Sequence, residues 1–155
     1  MRLTESGSTT VSPGSEQTTD DAWGRVAGVD ELFRRGRHAA GERLLRREIG
    51  RLRRRGQLRG AGGVLLELGH CHLLRGRATA ALTVASEARD VCAAARWPCG
   101  EVAGHLLAGW SLFDDDRLAE AEATLRLALA GAVEHGDADG IRAATLSVAN
   151  CLVAD

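Results

Sequence analysis

The chain has 155 residues, a net charge of −1, 45% apolar residues and 3% aromatic residues, which is enough for one domain with a core of its own. No stretch approaches the ~18 consecutive apolar residues of a membrane span, and the N-terminus lacks the charged-then-apolar pattern of a secretion signal. Leu and Ala dominate, Arg and Glu are frequent, and β-branched and aromatic residues are few, so helix is favoured over sheet.

In chain order, residues 1–19 are rich in Ser, Thr, Gly, Gln and Glu and read as a disordered tail. Thr19 or Asp20 can cap a first helix near 21–34, where Trp23, Val26, Val29 and Phe33 follow at helical spacing. Further helices are expected near 37–55, 60–75, 77–95, 99–113, 117–135 and 139–154, seven in all. Breaks fall at Gly36, Gly56 to Gly60, Gly76, Trp97-Pro98 and Gly136 to Gly140. Pro98 suits a first turn, where its missing N–H leaves nothing unpaired. Asp114 to Asp116 are expected to cap the sixth helix.

These segments repeat. Gly36-Arg37-His38-Ala39-Ala40 aligns with Gly76-Arg77-Ala78-Thr79-Ala80 and with Asp116-Arg117-Leu118-Ala119-Glu120, at a spacing of 40 residues. Gly60, Gly100 and Gly140 keep that register, as do Leu68, Ala108 and Val148. A fixed period of this size marks a helical solenoid, in which each unit buries its apolar face against its neighbours. The units run from about 20–58, 59–98 and 99–138, with a half unit at 139–155. Because the chain stops on an apolar helix, a truncated or N-terminal portion of a longer array is the favoured reading of its end.

The pairs resemble tetratricopeptide repeats. Leu68-Gly69 stand where that family places its Leu-Gly pair, followed at the family's distances by Ala81 and Ala88. Ala108-Gly109 are likewise followed by Ala121, Leu125 and Ala128, the small residues allowing close approach at helix crossings. The first unit departs from the pattern, with Val29, Gly41 and Glu48 at those positions, and the closing Pro is absent throughout. The period exceeds the family's value of about 34 residues, the excess being assigned to a long second helix. That form is similar to the repeats of large bacterial transcription regulators. The resemblance implies an all-α right-handed solenoid of antiparallel pairs and a cytoplasmic protein–protein interaction module, by analogy the input region of such a regulator. Independently of the resemblance, no Ser/His/Asp or Cys/His spacing and no phosphate-cradling Gly-rich loop is found, so no catalysis, cofactor or metal is expected.

The family's groove positions, carried onto this sequence, comprise Trp23, Phe33, Leu66, His70, Leu73, Leu106, Trp110, Phe113 and Asn150, together with Val26, Asp30, Leu74, Leu146 and Val153. This set is expected to receive an apolar or amphipathic helix or peptide, with the Trp residues as anchors. The alternatives are that these residues pack on one another, or that further chain fills the groove.

Charge is lopsided. Residues 25–59 hold twelve Arg against four acidic residues, and residues 100–155 three Arg against ten acidic residues. Leu44, Leu45, Ile49 and Leu52 are expected as the apolar stripe of the second helix, which places Arg43, Arg47, Arg51, Arg54 and Arg55 on solvated faces. That basic patch reads first as a solvated face or a contact for an acidic protein partner, with nucleic acid as the lesser alternative. Head-to-tail homo-oligomers joining basic to acidic ends are a third reading. His70-Cys71-His72 point in different directions on one helix and are expected as core and groove lining. Cys71, Cys92, Cys99 and Cys151 lack metal-ligand spacing and read as free thiols in a reducing compartment.

Overall fold

A computed structural model describes residues 28–154. Among them are seven helices and no strand: helical residues 28–34 (α1), α2 (His38–Arg54), α3 (Leu58–Leu74), α4 (Ala78–Ala94), α5 (Pro98–Asp114), α6 (Leu118–His135) and α7 (Ala138–Ala154). The tail assigned to 1–19, the Thr19 or Asp20 cap, Trp23 and Val26 lie outside the described residues.

The structure halves the period. Helices α2 to α7 begin at residues 38, 58, 78, 98, 118 and 138, so the unit of construction is 20 residues and the sequence repeat is two such units. The expectation of a long second helix is corrected, because α2, α3, α4, α5 and α7 each have 17 residues and α6 has 18.

One turn, used six times, sets this spacing. Residues 36, 56, 76, 96, 116 and 136 all have positive φ; four are Gly, and the others are Arg96 (φ 50°) and Asp116 (φ 59°). After each, the N–H of Arg37, Gln57, Arg77, Trp97, Arg117 or Asp137 donates to the carbonyl five residues back, at 2.8–2.9 Å. This is the Schellman ending, which satisfies carbonyls the helix leaves open. It also assigns Asp114 to Asp116 differently from expectation. Asp114 ends α5, Asp115 is its C-cap and Asp116 is the left-handed residue, while the N-cap of α6 is Arg117, which makes no side-chain capping bond. The acidic cap occurs instead at α7, where Asp137 Oδ1 accepts from the Gly140 N–H at 2.9 Å. Pro98 opens α5 as expected, whereas Gly60 and Gly140 lie inside first turns and do not break helices.

Burial follows the same 20-residue rhythm. Leu52, His72, Cys92, Leu112 and Ala132 are all buried, as are Glu48, Leu68, Ala88, Ala108, Ala128 and Val148. Each helix packs on the next, and α3 also packs on α5 and α5 on α7, whereas α2, α4 and α6 do not pack on one another. The odd-numbered helices therefore form the close, concave layer and the even-numbered ones the spread, convex layer. Leu82 packs against both halves of a core that is otherwise divided near α5. Close approach depends on small residues: a Cβ on Gly69 would stand 2.3 Å from Leu107 Cδ2, and one on Gly109 would stand 2.5 Å from Leu125. Among the described residues no helix is long and apolar enough to cross a membrane.

Candidate partner-binding faces

On the concave layer the structure gathers part of the expected groove. The indole Nε1–H of Trp110 donates to Ser147 Oγ at 2.8 Å, and Ser147 Oγ donates in turn to the Ala143 carbonyl at 2.8 Å. The His70 ring lies 5.7 Å from the Trp110 ring, and His70 Nδ1 is 3.0 Å from the Leu66 carbonyl. Trp110 thus spans α3, α5 and α7 and is held in one orientation. Beside it, Phe113, Leu125, Ser147 and Asn150 line a small cavity of about 70 Å³.

The other expected groove residues divide. Leu66 (8% exposed) and Leu106 (6%) are core residues, and Leu73 is half-buried against the core. Phe33 packs on Gly41 and on the His38 ring in the first helix pair. Leu74 (88% exposed) and Val153 (89%) are open to solvent. Ser147 was missed in the sequence; the available signal was a hydroxyl three residues before Asn150 on an apolar helix.

On the convex layer, ion pairing divides the arginines. Glu87 of α4 takes two of them from α2, Arg46 at 2.8 Å and Arg53 at 3.0 Å, and so ties the two helices together. Arg51 turns toward Glu48, with bonds of 2.8 and 2.5 Å, and leaves the solvated patch. Arg59 lies over the Trp97 ring at 5.1 Å. Glu42 is engaged by Arg77 at 3.5 Å and stands 3.6 Å from His72. Arg43, Arg47, Arg54 and Arg55 are exposed and have no ion-pair partner among the described residues. The expected apolar stripe is corrected at Leu44, which is 41% exposed, while Glu48, outside the expected stripe, is buried (8%).

The remaining polar groups are structural in placement. His70 and His72 diverge, one toward Trp110 and the other toward Glu42. Burial pushes the Cys71 and Cys92 thiols up to about 11, with nearby acids adding to the effect, and raises Cys151 as well. All four cysteines are free. Burial also lowers the pKa of His72 and His105; for His72 it outweighs the opposing pull of Glu42, and for His105 the charge of Arg89 adds to it. No group of three or more metal-capable side chains forms among the described residues.

The last helix has an open side. Leu146 (65% exposed) and Leu152 (56%) occupy the positions that Leu106 and Leu112 fill, buried, one pair earlier. No protein-family model matches this chain, and neither the curated proteins nor the solved structures contain a match to it.

Proposed function

We propose that this protein is a helical-repeat interaction module whose concave face receives an amphipathic helix or peptide of a protein partner. The observation that carries this reading is the fixed Trp110. Its ring is held by Ser147 and His70 and stays partly exposed beside Phe113 and Asn150. A rigid aromatic group with an apolar body and a committed N–H is the kind of anchor that interfaces use. Leu74, one turn after His70 on the same helix, adds an exposed apolar contact to that layer.

The further step, to the input region of a bacterial transcription regulator, rests on the repeat resemblance alone. The free thiols support placement in a reducing cytoplasm.

A displayed library of amphipathic helical peptides tests the binding reading. Enriched peptides should lose affinity with Leu74→Glu, which touches no core, and should be indifferent to Arg43→Glu on the convex side. Enrichment that Leu74→Glu and Asn150→Arg both leave intact would place binding elsewhere. Trp110→Ala is the poorer probe, because it also removes a contact between α5 and α7.

A further inference from the structure

The convex stripe of the three even-numbered helices changes character along the molecule. Positions equivalent by the 40-residue register read Ala39, Arg43, Arg47, Gly50 and Arg54 on α2, then Thr79, Thr83, Glu87, Asp90 and Ala94 on α4, then Ala119, Ala123, Leu127, Ala130 and Glu134 on α6. The first stripe is the cationic one, and after Glu87 has taken Arg46 and Arg53 from its flank, Arg43, Arg47 and Arg54 remain exposed. Steps of four and seven residues put these three on one line, about 16 Å long at 1.5 Å per residue.

Like charges four apart destabilise a helix, and neither Arg43 nor Arg47 has an ion-pair partner among the described residues. Beside the line lies an open depression of about 520 Å³ lined by Ala39, Glu42, Arg43, Arg46 and Arg47. Leu44 stands exposed on one flank, and a Cβ at Gly50 would meet only the end of the Arg54 side chain, at 3.4 Å.

We propose that this stripe is a second docking site, separate from the concave face, and that it takes an acidic helix of a protein partner. Carboxylates spaced four and seven residues apart on that helix would each accept a bidentate guanidinium. Ala39 and Gly50 let its backbone approach, and Leu44 offers it an apolar edge. A duplex phosphate backbone would use the charges but neither the exposed Leu nor the close approach. Charge complementarity thus selects an anion, and the shape of the stripe selects a helix.

The test titrates the full chain by fluorescence anisotropy against three labelled probes, at low and at high salt. They are an Ala-rich helical peptide of about five turns with Glu at the matching spacing, its Gln counterpart, and a short duplex DNA. The Glu peptide should bind saturably, and at least about ten-fold more tightly than the Gln peptide, with a loss at high salt. Binding should vanish in R43E/R47E/R54E and persist in L74E, so that failure here is distinct from failure of the concave-face reading. If the charge-reversed protein does not fold, R43Q/R47Q/R54Q supplies the same comparison. No binding of the Glu peptide, equal binding of both peptides, or binding unchanged by the arginine substitutions would overturn the proposal. Tighter binding of duplex DNA through the same arginines would replace the acidic helix with nucleic acid.

Discussion

Helices α2 and α6 hold equivalent places two pairs apart, and they differ most where they face water. Inward, Leu45 and Leu125 are the same residue at 0% and 1% exposure, and Gly41 and Ala121 are both small and buried. Outward, Arg43, Arg47 and Arg54 of α2 correspond in register to Ala123, Leu127 and Glu134 of α6. Packing density constrains the inner positions to shapes that fit the neighbouring helix, and solvent constrains the outer ones hardly at all. Divergence of the outer stripe therefore bears on what the surface meets. Glu48 is the exception: it is buried where α6 has Ala128, and it is compensated by Arg51.

Truncating the shared core residue gives the largest test of this contrast. Leu45→Ala and Leu125→Ala should each cost about 3 kcal/mol in denaturant unfolding. A loss at one site and near neutrality at the other would mean that the two helices are not equivalent inside.

The turns that lead into the two helices come next in size. Gly36 precedes α2, and Asp116 precedes α6, both with left-handed backbone. Asp116→Gly should stabilise the fold by up to about 1 kcal/mol, and Gly36→Ala should destabilise it by a similar amount, since a Cβ is strained at positive φ. Thermal melts of the two variants should move in opposite directions.

A smaller effect is expected from pH. His72 stands where the next pair has Leu112, and burial lowers its pKa, as it does for His105. The folded state thus favours the neutral rings, and the unfolded chain takes up protons first as pH falls below about 6.5. Stability should be full above that value and decline as pH falls toward the lowered folded-state values. His72→Leu should flatten part of this decline, and an unchanged pH profile would count against the assignment.

The smallest effect is electrostatic. R43Q/R47Q removes a repelling pair that α6 lacks and should gain about 0.2–0.5 kcal/mol at low salt, with the gain fading as salt is added.

Helix count and spacing were legible in the sequence because turn chemistry is local. Gly36, Gly56, Gly76 and Gly136 mark four of six turns by their freedom at positive φ, and Pro98 marks a fifth. The 20-residue unit was harder to see, because Arg96 and Asp116 stand where Gly would have announced it. Among the candidate site residues, the repeat resemblance implied that His70, Trp110, Phe113 and Asn150 share one face. It did not separate them from Leu66 and Leu106, whose burial depends on how tightly the concave layer closes.

The sequence alone thus determined the all-helical repeat and its 40-residue register, since periodic apolar and small residues encode those locally. Tertiary structure decided which arginines stay exposed, for Glu87 reaches Arg46 and Arg53 from 41 and 34 residues away in the chain. It also decided that Leu44 is exposed, that Glu48 is buried, and that Trp110 is held by Ser147. Each of these depends on the neighbouring helix that covers a face, and a periodicity read along one helix does not contain that neighbour.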